Sequence, residues 1–174
     1  MKVLIGHASG YGSTTSYAEV IAEELREAGH EVELAEAGKA KRPQDYDYVV
    51  IGGSLRAGSW LGDARRLAKR TIEAKVPHSI FICCLMAASE KERPKLQTEV
   101  LPKLKEKLPG LNVEHPGLFP GMRNMDQYGF VIRKLMLSIA RSEGEESPEK
   151  TLDYRDFDLA RAWAKELAGR IAES

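Results

Sequence analysis

An excess of either charge is what this chain most conspicuously lacks. Lys and Arg number 26, Asp and Glu 26, and the formal net charge is zero. A general nucleic-acid binder carries a clear basic excess, and small acidic electron carriers find their partners through long-range charge. The balance argues against both. Cysteine is nearly missing: there are only Cys83 and Cys84, adjacent in sequence. In a strand such neighbours point to opposite faces, so they cannot easily join each other. There is no C-x-x-C and no His-Cys cluster, which argues against dithiol redox chemistry and zinc. His7, His30, His78 and His115 are scattered without metal-ligand spacing. No run approaches the roughly 20 apolar residues that span a bilayer. The apolar part of MKVLIGHASG is too short for a signal peptide. A reducing, cytoplasmic address is the expectation.

What is present is an alternation of strand-like and helix-like segments. The 174 residues, 43% hydrophobic and 30% charged, suit one domain with its own core. KVLIGHA reads as a buried strand, and Tyr17, Val20, Ile21 and Leu25 then follow at helical spacing up to Gly29. HEVELAEA alternates as an outer strand would. YVVIGGS and HSIFICCLMA are continuous apolar strands, and LNVEHPGLF is a weaker fifth. Between them WLGDARRLAKRTIEA is amphipathic, and residues 90–108 form a charged helix that Pro102 should kink or break. YRDFDLARAWAKELAGRIAES closes the chain as a last helix. Five strands separated by helices imply an α/β domain with a parallel sheet covered on both faces.

One segment exceeds that plan. Residues 122–150 form an insert of helix and loop, with Phe130, Val131, Ile132, Leu135, Met136, Leu137 and Ile139 clustered inside 128–141. Arg133, Lys134 and Arg141 stand among them. Packing on the protein's own core is the first expectation for an apolar helical stripe. A dimer contact and a membrane surface are the alternatives.

The richest local signal is SGYGSTT after the first strand. In open parallel sheets, ligands bind beyond the carboxyl ends of the strands. Here Gly10 and Gly12 allow the backbone to curl around an anion at a helix N-terminus, and Ser9, Ser13 and Thr14 offer hydroxyls. A cap and turn is the plainer reading of the same residues. No Lys or Arg lies in the loop, and neither G-x-x-x-x-G-K-[ST] nor G-x-G-x-x-G occurs, which disfavours triphosphates and dinucleotides. Thr15 reads as a helix residue, and His7 as structural. Two further loops face the same crevice. One runs through Ser54, Leu55, Arg56, Ala57 and Gly58 after the third strand, the other through Leu85, Met86, Ala87 and Ala88 after the fourth. Small residues with a few apolar walls suit a flat heterocycle. Trp60 is either such a wall or a core residue.

The loop resembles the FMN phosphate loop of flavodoxins, [ST]-x-T-G-x-T: Ser9, Gly12 and Thr14 match, and Tyr11 replaces the usual threonine. The chain is most similar to the menaquinone-dependent protoporphyrinogen oxidase branch of that family. The similarity lies in VVIGGSLRAGSW, YGFVIRKLMLSIA and KTLDYRDFDLARAWAKELA, and so extends over nearly the whole length. Cys84 departs from the polar residue expected there. The resemblance implies a flavodoxin-like sandwich with strand order 2-1-3-4-5, and FMN bound by the three loops. It implies an oxidoreductase taking electrons from a porphyrinogen and passing them to a quinone, with no side chain assigned as catalytic. Arg56 is then a candidate to meet a substrate carboxylate or the flavin edge, unless it is simply solvated. A carrier serving a redox protein partner is the alternative. Quinone chemistry would bring the inner face of a membrane within reach of 128–141, and a homodimer through this helix is a further option.

Overall fold

The computed structural model describes residues 1–56, 58–123, 129–142 and 151–173. Five parallel strands form the central sheet: β1 (Lys2–Ala8), β2 (Glu31–Glu36), β3 (Tyr48–Arg56), β5 (His78–Cys84) and β6 (Gly117–Pro120), in the order β2-β1-β3-β5-β6. That is the order 2-1-3-4-5 among the parallel strands. A short β4 (Ser59–Trp60) folds back antiparallel on the end of β3. The register aligns His7 with Gly52, Gly52 with Phe81 and Phe81 with Gly117, so the carboxyl ends of β1, β3, β5 and β6 finish side by side.

Each central strand is buried on both faces, which explains why it reads as a continuous apolar run. Val3, Ile5, Val50, Phe81 and Cys83 face one core layer, closed by α1 (Ser13–Glu27) and α6 (Phe157–Glu173). Leu4, Val49, Ile51, Ile80 and Ile82 face the other, closed by α2 (Gly62–Glu73) and α4 (Leu101–Lys107). β2 lies at the edge, and its alternating exposure matches the polar-apolar alternation of its sequence.

Several elements differ from their sequence-based bounds. β5 stops at Cys84, and Leu85–Ala88 wind into a 3-10 turn, because the chain must leave the sheet there to close the crevice. The fifth parallel strand is only Gly117–Pro120; 111–116 is not strand. The helix of 90–108 is in three parts: α3 (Arg93–Lys95), a π-helical turn Leu96–Val100, and α4. Pro102 sits at the start of α4, where its missing N–H does no harm, and the irregular turn precedes it. The final helix begins at Phe157; before it, β8 (Leu152–Asp153) pairs with β7 (Met122–Arg123) in a two-stranded ribbon. α5 (Phe130–Ser142) is the extra helix.

Tyr17 ties the sheet to the chain end. Its hydroxyl donates to the Pro120 carbonyl at 2.7 Å and accepts the Asp156 N–H at 2.8 Å, and its ring stacks on Phe119 with centroids 4.8 Å apart. Burial raises the pKa of this phenol, so it remains a neutral donor.

Candidate functional site

β1 feeds the first loop straight into α1, and the two elements leave a notch at their junction. Gly12 has φ +90°, the left-handed region that glycine enters without strain, and stands at the N-cap of α1. Its N–H is taken by the Ser9 hydroxyl at 2.9 Å, which holds the loop closed. Gly12 has no side chain to cap the helix, so the first turn keeps the positive end of its dipole available. Ser13 and Thr14 are both buried there, and the Thr14 hydroxyl is buried without a hydrogen-bond partner. The Cys83 thiol beside it offers a weak hydrogen bond at most, because sulfur is too poor an acceptor to satisfy a hydroxyl. A buried unsatisfied hydroxyl costs on the order of 1–3 kcal/mol. An anion in this notch would relieve that cost.

The second loop is the β3–β4 hairpin. Leu55 pairs with Trp60 and Arg56 with Ser59, around Gly58 at φ +72°. Trp60 is 2% exposed and packs against Gly53 inside the core layer of α2. Of its two readings, the structure takes the core one. Arg56 is exposed and folds back over the first loop, its guanidinium carbon 5.4 Å from the Tyr11 ring centroid. Tyr11 and Arg56, from different loops, thus meet at the rim.

The third loop starts at Cys84, whose carbonyl accepts the Gly121 N–H at 3.1 Å and so links the ends of β5 and β6. Burial raises the thiol pKa of both cysteines, Cys83 to about 12. Neither is a ready thiolate nucleophile. They face opposite core layers, as strand neighbours must.

These loops enclose a cavity of about 480 Å³. Of the residues expected at the site, Ser9, Gly10, Tyr11, Ser13, Thr14, Ser54, Leu55, Arg56, Gly58, Leu85 and Met86 line it together. Gly12 shapes the loop rather than the wall, Ala87 is buried in the core at 4% exposure, and Ala88 faces solvent. Ala57 lies outside the described residues. Five lining residues were not foreseen: Cys83, Cys84, Gly121, Met122 and Leu135. Cys84 directly precedes Leu85, and Leu135 stands in a helix whose apolar character is plain in the sequence. Gly121 and Met122 follow a strand whose end no local signal marks.

His7 does not line the cavity. Its Nδ1 meets the Thr15 hydroxyl at 3.3 Å, and desolvation lowers its pKa against the opposing pull of Glu36 and Glu19. α5 stands over the mouth. Leu135 lines the cavity yet is 59% exposed, and Phe130 and Val131 are 82% and 78% exposed. These three side chains are not packed into the core; Ile132, Met136 and Ile139 of the expected stripe lie outside the described side chains. Tyr128 lies outside the described residues. Among the described residues no helix is long and apolar enough to cross a membrane.

A family model described as a flavodoxin domain matches residues 4–150. The chain is 26% identical over 174 residues to the protoporphyrinogen IX dehydrogenase (quinone) of Escherichia coli strain K12, covering 97% of this chain and 95% of that protein. Similar solved structures include oxidised flavodoxin 2 from Bacillus cereus, with TM-score 0.57, 17% identity and 99% of both chains covered. A flavodoxin from the domain Archaea aligns with TM-score 0.58 and 14% identity, again over 99% of both chains. The rubredoxin oxygen:oxidoreductase of Desulfovibrio gigas aligns with TM-score 0.59 and 15% identity, over 99% of this chain but 36% of that one. At these identities the structural likenesses concern the fold alone.

Proposed function

The chain belongs to the flavodoxin domain family, and from that premise we propose that it is an FMN-dependent oxidoreductase of the protoporphyrinogen oxidase type. The observation that carries the cofactor assignment is Thr14: a buried hydroxyl without a partner, at an uncapped helix N-terminus, inside the cavity. The monophosphate of FMN fits that donor set. Ser9, Gly10, Tyr11, Ser13 and Thr14 would hold it with hydroxyls and backbone N–H groups, in a loop shaped by Gly12. Ser54, Leu55 and Gly58, with Leu85 and Met86, would flank the ring system, Leu55 and Met86 as apolar walls. FMN, when bound, supplies reversible electron and hydride chemistry at its ring.

The protein's own part is to exclude water and orient. Among its described lining residues the cavity holds no histidine or carboxylate, and no side chain is assigned a proton-transfer role. Leu135 and Met122 cover the cavity from the α5 side and make its mouth apolar. That character suits a tetrapyrrole donor and a quinone acceptor, the pair named by the 26% identical relative. Quinones reside in membranes, and the exposed Phe130 and Val131 with Lys134 and Arg141 would bring the cavity mouth to the inner surface of one. This is a cytoplasmic protein with peripheral contact on that reading.

The test is an absorption spectrum of the purified protein with added FMN, followed by anaerobic addition of protoporphyrinogen. A bound flavin spectrum that bleaches with the porphyrinogen and recovers with a quinone is expected. Bleaching only through a reductase protein would make the chain an electron carrier instead. Failure to take up FMN would remove both readings.

A further inference from the structure

The phosphate loop as seen in the sequence has no cation, and Tyr11 has replaced the one threonine hydroxyl that the family pattern supplies at that place. The tertiary structure brings a cation to the same spot. Arg56 carries the only formal charge among the described residues lining the cavity. No carboxylate pairs with it among the described residues, and its guanidinium rests over the Tyr11 ring at 5.4 Å. It also lies directly against Gly10: a Cβ at that position would stand 2.9 Å from Arg56 Nη2. The backbone angles of Gly10 are not left-handed, and its missing Cβ leaves open the space beside the guanidinium.

We infer that Arg56 is a phosphate-binding residue, delivered from the β3–β4 hairpin to the outer side of the first loop. Tyr11 provides the face that guides it and Gly10 the room to reach it. This inference rests on the FMN reading above. The physical case is charge. A phosphate monoester at neutral pH carries between one and two negative charges, and a cradle of hydroxyls and dipoles leaves part of it uncompensated. Arginine can stack on an aromatic ring and present a planar fork to phosphate oxygens at the same time, which lysine cannot. The hairpin fixes its origin, since Arg56 is paired with Ser59 at the end of β3. The loss of a threonine hydroxyl at position 11 and the gain of an aromatic platform are thus one change, with Arg56 replacing a neutral contact by a charged one.

The experiment compares FMN with riboflavin, which lacks the phosphate, by quenching of flavin fluorescence on the apoprotein at low and moderate salt. Arg56→Gln is expected to weaken FMN about tenfold while riboflavin changes by less than about twofold. The salt dependence of FMN binding should flatten in the same variant. Arg56→Lys should recover only part of the loss. Gly10→Ala should weaken FMN in the parent protein by pushing the guanidinium away, and should add little on top of Arg56→Gln. Unchanged FMN affinity in Arg56→Gln would overturn the inference, as would equal losses for FMN and riboflavin, which would assign Arg56 to the ring or to loop support. If the parent protein bound neither flavin, the FMN assignment itself would fall.

Discussion

Thr14 is held where a hydroxyl is costly, and that cost has a measurable sign. Replacing it with valine keeps the shape and removes the unsatisfied group, so Thr14→Val should leave the apoprotein as stable as before or raise its stability by about 1 kcal/mol. The same change should weaken FMN by about tenfold, because one donor to the phosphate is lost. Thermal unfolding of the apoprotein and a flavin titration check the two signs. A destabilised apoprotein would mean that the hydroxyl already has a structural partner. Thr14 was legible in the sequence, since strand, glycine-rich turn and hydroxyls occur in one stretch. Gly12 was also legible as a turn residue. Cys83, Cys84 and Leu135 as cavity walls were not, because each is adjacent to the site only after the sheet and α5 are in place. The two fates of Trp60 were equally open in the sequence, and packing against Gly53 decided for the core.

At the scale of elements, α5 is the departure from economy. A helix that shows Phe130 and Val131 to solvent gives up the burial that an apolar side chain is worth, roughly 1.5–3 kcal/mol each. It carries Arg133, Lys134 and Arg141 and no acidic residue, in a chain whose charges cancel overall. An anionic lipid surface would meet both features. The protein should therefore sediment with phosphatidylglycerol-containing vesicles and not with neutral ones. The double change Lys134→Gln with Arg141→Gln should weaken this by about tenfold or more, at about 1 kcal/mol per basic residue near the surface. Binding that ignores those charges would exclude the membrane, and a concentration-dependent dimer lost with Phe130→Ser would assign the face to a second copy. The helix itself was visible from composition. The exposure of Phe130 and Val131 was not, because helical periodicity reports that a face is apolar and is silent on what lies opposite.

For the molecule as a whole, two buried histidines favour folding at neutral pH over folding in acid. His78 donates from Nδ1 to the Val76 carbonyl at 3.0 Å and accepts the Asn112 N–H on Nε2 at 3.1 Å, so the neutral ring is satisfied at both ends. Protonation would place two N–H groups face to face. Desolvation lowers the pKa of His78, and of His7, below the ordinary 6.5. The unfolded chain thus takes up protons that the folded one refuses. Their contribution to stability is present above pH 6.5 and is lost as the pH falls from there through the lowered folded values. Denaturant melts from pH 8 to pH 5 should show this fall, and His78→Gln should flatten it while lowering stability at neutral pH. An unchanged slope in that variant would mean that His78 does not titrate with folding.

The sequence by itself determined the alternation of strands and helices, the burial of the central strands on both faces and the position of the first loop at a helix start. These are local properties, since periodicity, glycine placement and hydroxyl content act over a few residues. Only the tertiary structure decided how three loops far apart in the chain share one cavity, through the order β2-β1-β3-β5-β6 and the alignment of strand ends. It also decided that Arg56, some forty residues after the first loop, lies against Gly10 and Tyr11. Pairing register and chain crossover are non-local, and no stretch of sequence records which distant side chain will fill the space that a glycine leaves open.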